Sequence, residues 1–333
     1  MEKLSTINDV AKESGVSITT VSRVLNDNYP VKKETKERVK KAIEKLNFRP
    51  NEMARSLINK KTSVIGIIVP GLTNMFFPTI VEHIGKHIKK EGYSINLCNT
   101  AGDYMEEKNL VNKLLERQVD GIIVIDPAEE NLKSYFYDKI SKDKPLIIVK
   151  SLSEDYKCNV VCYDEEVGLR EAFDYFIKRK HKKIAFIRGL KSISFDVREK
   201  FYKQLIKENS LEYENIIKVS ESNSTDVIGL VEKELLHVLQ GKNPPNAIFA
   251  CNDLIVVGII NCCRRLKIRI PDKLCVIGCD NTQISQITYP TFPSIDLGIE
   301  EVGHRAALEI LDLIKNGISI KKRVVLDTKL VVR

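Results

Sequence analysis

Long apolar runs are missing from this 333-residue chain. The longest, "VIGIIVP" at 64–70 and "GIIVI" at 121–125, fall far short of the roughly 20 residues that a membrane-spanning helix needs. The N-terminal "MEKLSTINDVAKE" lacks the apolar core of an export signal. Together these absences predict a soluble, cytoplasmic protein with no membrane partner. A Gly-rich phosphate loop and a nucleophile elbow are also missing, so neither catalysis nor a cofactor is expected. Metal ligands do not cluster. His83 and His87 have i, i+4 spacing, but no third ligand is near in sequence and their helix is lysine-rich, which reads as a solvated face. The eight cysteines (Cys98, Cys158, Cys162, Cys251, Cys262, Cys263, Cys275, Cys279) lie mostly in apolar runs, as small hydrophobes. A disulfide framework is not expected in a cytosolic chain of this size.

The length exceeds that at which single cores stop growing, so two or more compact units are expected. Charge locates one of them. Residues 1–61 carry 14 Lys and Arg against 8 Asp and Glu, so +6 of the chain's +8 lies in this segment. A compact basic segment suits phosphate binding, although a lysine-rich solvated surface gives the same count.

The motifs decide between these readings. In "TINDVAKESG", Thr6 is a plausible N-cap, Ile7, Val10 and Ala11 follow at helical spacing, and Gly15 stops the helix. In "SITTVSRVLN", Ser17 caps a second helix whose Val21, Val24 and Leu25 face inward. Two short helices joined by a tight Gly-containing turn make a helix-turn-helix. The other face of the second helix shows Ile18, Thr19, Ser22 and Arg23: short hydroxyls that can approach phosphates and base edges, and one arginine able to grip guanine O6/N7. A third helix is expected from about Glu34 to Leu46, with Val39, Ala42, Ile43 and Leu46 buried. Beyond Pro50, "EMARSLI" spans two helical turns, well below the ~12–15 residues at which isolated helices become stable.

"TINDVAKESGVSITTVSRVLN", "VKKETKERVKKAIEKLNFRPN" and "ARSL" resemble the headpiece and hinge of the lactose-repressor (LacI/GalR) family of bacterial transcription regulators. The resemblance implies DNA contacts by Thr6, Ser17, Ile18, Thr19, Thr20, Ser22, Arg23, Asn26, Asn51, Ala54, Arg55 and Leu57. It also implies that the hinge helix folds on a pseudo-palindromic operator, pairs with its twin from a second subunit in the minor groove, and inserts Leu57 as a wedge. Apolar wedges of this kind unstack and kink a duplex. Two departures stand out. Lys32 occupies a position where many members cap the third helix with serine, and Ile58 one where they carry lysine.

From residue 62, short apolar strands alternate with amphipathic segments, and the pattern restarts after "VVCYDEEVG". This predicts two α/β lobes with parallel sheets covered by helices on both faces, binding small molecules at the carboxyl ends of the strands. This region resembles the family's effector-binding core, itself similar to periplasmic sugar-binding proteins. The expected domains are a 1–49 headpiece, a 50–61 hinge and a 62–333 core. Within the core, 62–161 plus 293–325 form one lobe and 162–292 plus 326–333 the other.

Strand ends supply the effector candidates Phe76, Phe77, Asp126, Asp164, Arg198, Phe249, Asn252 and Asp280, with Asn74, Asp103 and Asp253 nearby. Convergent polar groups from two lobes can orient a hydroxylated ligand. Each acid also reads as a helix cap or turn residue, and Arg198 as half of a surface ion pair. Lys180 and Lys267 stand where relatives usually carry glycine, at expected helix C-termini. The reading is therefore a homodimeric repressor gated by a small molecule, a sugar by preference. A regulator of the same fold that uses a phosphorylated carrier protein is the alternative, and a stand-alone sugar-binding protein a more remote one. The final "DTKLVVR" carries no leucine-heptad helix, so a tetramer built on one is not expected.

Overall fold

The computed structural model describes residues 5–26, 29–49, 61–153, 158–190, 192–220, 223–317 and 321–333. The hinge positions Asn51, Ala54, Arg55 and Leu57 lie outside the described residues. The chain divides into two compact units, Met1–Thr62 and Ser63–Arg333.

In the first unit, α1 (Ile7–Ser14) opens on a capping box. The Thr6 hydroxyl accepts from Asp9 N–H, and the Asp9 carboxylate accepts from Thr6 N–H at 2.8 Å. Gly15, at φ 65°, takes the left-handed conformation that closes the helix, and Val16 N–H returns to the Ala11 carbonyl at 3.1 Å. In α2 (Ile18–Asn26), Ser17 Oγ accepts from Thr20 N–H at 3.2 Å, the expected cap. α3 (Lys33–Lys45) starts without a side-chain cap, because the residue in that position, Lys32, offers no acceptor. Val10, Ala11, Val21, Val24, Val39 and Ala42 form the small core, with Leu25, Ile43 and Leu46 packed at its edge.

The second unit holds two six-stranded sheets. One consists of β1 (Val64–Val69), β2 (Ser94–Asn99), β3 (Gly121–Ile125), β4 (Leu146–Ser151), β5 (Asn159–Asp164) and β11 (Arg323–Asp327), in the order β11-β5-β4-β3-β1-β2. The other consists of β6 (Ile184–Gly189), β7 (Asn215–Val219), β8 (Ala247–Ala250), β9 (Cys275–Asp280), β10 (Ser294–Asp296) and β12 (Lys329–Val331), in the order β12-β10-β9-β8-β6-β7. Pairing is parallel except between β10 and β12. The central strands are apolar throughout because helices cover both of their faces.

In the first lobe these helices include α4 (Phe76–Ile88), α5 (Tyr104–Glu116), α6 (Glu129–Lys133), α7 (Phe136–Ile140) and, returning late in the chain, α13 (Ile299–Asn316). The second lobe carries α8 (Glu166–Lys178), α9 (Ile193–Glu208), α10 (Val227–Leu239), α11 (Asp253–Leu266) and the short α12 (Ile284–Ile287). Gly303 lets α13 lie against α4, since a Cβ there would stand 2.7 Å from that of His83. All eight cysteines are free thiols, seven of them buried. No described helix is long and apolar enough to cross a membrane.

Strand membership corrects the expected lobe boundaries. The 161/162 division falls inside β5, 292/293 precedes β10, which belongs to the second sheet, and 325/326 falls inside β11. The chain passes between lobes after Asp164, after Asp296 and at Thr328. Apolarity marks a strand but not the sheet it joins. The first and third passages are bonded together, with Thr328 Oγ1 donating to the Asp164 carbonyl at 2.8 Å and accepting from Gly168 N–H at 3.2 Å.

Candidate DNA-reading helix and effector cleft

Helix α2 presents Ile18, Thr19, Arg23 and Asn26 to solvent, with Thr20 and Ser22 half-buried beside them. Four of the expected hydroxyls do local work. Thr6 caps α1, Ser17 caps α2, and the Ser17 and Thr20 hydroxyls bond each other at 2.9 Å. Ser22 Oγ accepts from Asn26 Nδ2 at 3.3 Å. Sequence reasoning overlooked Tyr29, whose ring lies 5.0 Å from the Arg23 guanidinium and is 62% exposed. A cation over an aromatic face holds the arginine in one region of space. An aromatic just beyond the helix was the available signal.

In the second unit, β1 pairs with β2 on one side and β3 on the other, so the strand order reverses there, and such switch points open a crevice at the carboxyl ends of strands. Asp126 stands at that end of β3 with φ 48°. From the other lobe, Ser192 donates to its carboxylate at 3.0 Å and Ser194 at 3.1 Å. Burial pushes the Asp126 carboxyl above its usual range, and these hydroxyls oppose the shift. A cavity of about 240 Å³ opens beside it, walled by Pro70, Asp103, Glu107 and Glu130 from the first lobe and by Leu190, Ile193, Asp196 and Asn223 from the second. Glu107, also missed in the sequence, is buried beneath this wall. It accepts from Tyr137 Oη at 2.5 Å, Asn131 Nδ2 at 2.7 Å and Ala128 N–H at 3.0 Å, which fixes the loop after β3.

Arg198 is buried on α9. Its Nε donates to Glu165, its Nη1 to the Cys251 carbonyl, and its Nη2 lies 3.8 Å from Asp280. Arg198 is therefore half of an ion pair, but a buried one rather than the expected surface pair, with a partner, Glu165, that sequence reasoning did not single out. The acidic run "DEE" after a strand was the only hint. Asp280, at φ 103°, is buried, and burial raises its carboxyl well above the usual range.

The other candidates divide. Phe76 is buried edge-on to Tyr163 with ring centres 6.1 Å apart, and Phe77 packs against Phe76 at 5.2 Å. Asn74 Oδ1 accepts from Phe76 N–H at 3.1 Å, starting α4. Asp164 Oδ1 accepts from Glu166 N–H at 3.0 Å, a turn role. Asn252 caps α11 by accepting from Ile255 N–H at 2.9 Å. Asp103 caps α5 through Met105 and Glu106 N–H. Asp253 accepts from Ser294 Oγ at 2.5 Å and from Thr282 N–H at 2.6 Å, clamping β10 to the end of β9. Phe249 is a correction. It lies opposite Phe186 on the neighbouring strand, stacked on it at 5.3 Å and wholly buried in the sheet core, because strand alternation turns it inward.

The histidine pair also differs from expectation. His87 stacks on His304 of α13 at 4.2 Å, and His83 Nε2 lies 3.5 Å from Glu300, so the helix pairing supplies neighbours that sequence distance hid. Among the described residues no group of three or more His, Cys, Asp or Glu is arranged to hold a metal ion.

A helix-turn-helix headpiece joined to a two-lobed core with a cleft at its strand ends defines a DNA-binding transcription regulator of the class that carries a binding-protein-like sensor. Residues 6–51 match the model of bacterial regulatory proteins of the lacI family, and residues 173–333 that of a periplasmic binding protein-like domain. The HTH-type transcriptional repressor PurR of Vibrio vulnificus is 30% identical over 99% of this chain and 98% of its own. Catabolite control protein A of Priestia megaterium is 31% identical over 96% and 95%. The fold superposes on the lac repressor dimer bound to operator and the anti-inducer ONPF with a TM-score of 0.87, at 24% identity over 99% and 98% of the two chains. The chain belongs to the LacI family of bacterial regulatory proteins.

Proposed function

We propose that this protein is a repressor whose affinity for a pseudo-palindromic operator is set by a small hydroxylated effector, a sugar or sugar derivative, bound between the two lobes of its core. The observation that carries this reading is the pair of hydrogen bonds from Ser192 and Ser194 in one lobe to Asp126 in the other, at the mouth of a cavity at the strand ends. A ligand there touches both lobes and so distinguishes their relative angles, which is what a population shift requires.

Arg23 and Thr19 are assigned to base edges in the major groove, and Leu57, with Asn51, Ala54 and Arg55, to the minor groove, a role that follows from family resemblance. The working unit is a homodimer. Ile287 and Tyr289, 79% and 84% exposed on the second lobe, form the apolar surface assigned to the partner copy. Sedimentation velocity tests this part: Tyr289→Glu yields monomers, and an unchanged dimer removes the assignment.

The central test is footprinting at fixed salt on the DNA upstream of the protein's own gene, with and without a panel of sugars, sugar phosphates and nucleosides. A protected pseudo-palindrome whose occupancy changes with one compound supports the switch and gives its sign. Protection that no compound alters keeps the DNA-binding reading and favours a protein co-effector or a ligand outside the panel. No specific protection at any salt counts against the headpiece reading at this locus.

A further inference from the structure

The cavity described above lies at the carboxyl ends of the strands, and the opposite end of the second sheet has a chemistry of its own. β6, β8 and β9 are neighbours there, with Ile184 beside Ala247 and Ala247 beside Cys275. Three segments lead into those strand starts. Asn246 N–H and Ala247 N–H both donate to the Lys183 carbonyl, at 2.9 and 3.1 Å, and Cys275 N–H donates to the Asn246 carbonyl at 3.1 Å. The charge of Arg179 reaches the Cys275 thiol, and the Lys183 ammonium donates to Asn243 Oδ1 at 2.5 Å. The end of α8, the turn before β8 and the loop from α11 to β9 therefore share one face.

That face is basic. The first segment, 178–183, carries Lys178, Arg179, Lys180, Lys182 and Lys183, and the second, 241–246, carries Lys242. The third, 264–273, carries Arg264, Arg265, Lys267, Arg269 and Lys273. All eleven are exposed, and Asp272 is the one carboxylate in the three segments. Residues 62–333 have a net charge of +2, so the rest of the core is net −8. Among the described residues, two of the eleven pair with a carboxylate, Arg265 with Glu232 at 3.6 Å and Arg269 with Asp272 at 3.4 Å. Lys180 and Lys267 take left-handed φ of 63° and 55°, so charge is carried at both positions against a backbone preference for glycine. Glu212 and Glu214, at the start of β7, bound the face on its far side.

Composition distinguishes the partner. A protein interface turns on aromatic and aliphatic anchors and is poor in lysine, whereas no large apolar side chain in these three segments is exposed. Single-stranded nucleic acid needs open aromatic faces for its bases, and Tyr175, beside this face, is half-buried with the Arg179 guanidinium 3.5 Å from its ring centre. What the face offers is charge spread over three strand starts, about 10 Å at the usual strand spacing, and a duplex presents one phosphate charge per ~1.7 Å of axis.

We propose that this face of the core binds the phosphate backbone of a second DNA segment, without sequence preference, while the headpiece occupies the first. The headpiece's hold on DNA raises the concentration of duplex around the core, so a weak contact made by charge alone is enough. Because the face and the cleft lie at opposite ends of the sheet, the two can be occupied together. The protein then joins two stretches of DNA rather than marking one.

The full-length protein is loaded on a short bead-bound duplex and offered a free fluorescent duplex of unrelated sequence. The wild-type protein is expected to capture the free duplex at low salt. The triple variant Lys178→Gln, Lys182→Gln, Lys273→Gln still loads the beads through its headpiece, captures about tenfold less free duplex, and has a salt dependence shallower by about 0.9 for each lysine that met a phosphate. The matching triple variant with Arg at the same positions keeps the capture, which separates charge from damage to the fold. Equal capture by the wild-type protein and the glutamine variant shows that paired headpieces bridge the duplexes, and it overturns the proposal. So does loss of capture in the arginine variant, or no capture by the wild-type protein. Labelled poly-L-glutamate bound by the wild-type protein and lost in the glutamine variant, with the free duplex ignored by both, overturns the DNA assignment and gives the face to an acidic protein.

Discussion

Asp126 and Ser192 belong to different lobes, yet the serine hydroxyl donates to the aspartate carboxylate at 3.0 Å, with Ser194 adding a second bond at 3.1 Å. The carboxylate is half-buried, and these two hydroxyls supply it with donors from the other lobe. Replacing both with alanine is expected to cost the core about 1–3 kcal/mol in urea denaturation, the usual penalty for a buried acceptor deprived of donors. Asp126→Asn, which keeps an acceptor for the serines, costs less. Equal losses in the two variants would show that the bonds carry no special weight.

Arg198 and Glu165 form a buried pair whose members are each costly without the other. Arg198→Met is expected to destabilise the core by about 3–5 kcal/mol, because it strands the Glu165 carboxylate. Adding Glu165→Leu recovers much of the loss. Denaturation of both single variants and the double closes a mutant cycle, and simple additivity would refute the coupling.

Asp253 makes stability depend on pH. Burial raises its carboxyl from an ordinary 3.8 to about 7, against the opposing hydrogen bonds from Ser294 and Thr282. The folded protein therefore keeps a proton that the unfolded chain releases near pH 4. The stabilisation is fully present below the unfolded pKa and is lost as pH rises through about 7. Asp126 and Asp280 shift in the same direction and reinforce the trend. Denaturation midpoints measured from pH 4 to pH 8 are expected to fall, and Asp253→Asn to flatten the slope by at most about 1.4 kcal/mol per pH unit. A slope unchanged in that variant would remove Asp253 as its source.

The uncapped start of α3 predicts a gain. Lys32→Ser supplies an acceptor for an orphan N–H and is expected to stabilise the headpiece by about 0.5–1 kcal/mol, read as slower amide exchange in α3. Tyr29→Leu, by contrast, is expected to leave that exchange unchanged while weakening operator binding severalfold, since it releases Arg23.

The headpiece was legible because its signals are local. Thr6, Gly15 and Ser17 act on backbone groups within four residues, and the spacing of Val21 and Val24 states which face is inward. Alternation of apolar strands with amphipathic segments likewise announced both lobes. Lys267 at φ 55° ends α11, and Lys180 at φ 63° follows α8, the helix ends expected of them. What stayed hidden depends on long-range placement. Glu165 meets Arg198 only after the chain has crossed to the other sheet and formed α9, and Ser192 reaches an aspartate 66 positions earlier. Phe249 was misjudged because a strand end and a strand interior differ by two residues, and the sequence marks the strand without its last turn. Asp103 and Asp164 proved to be a local cap and a local turn, the reading each strand-end acid carried from the start, and Asn252, for which no such reading was made, caps α11.

Thr328 gives the fold a mechanical property. By bonding the first passage between lobes to the third, it ties two crossing segments side by side, as in a hinge plate rather than loose cords. An effector of the kind proposed above would then act on two strands that turn together rather than one at a time.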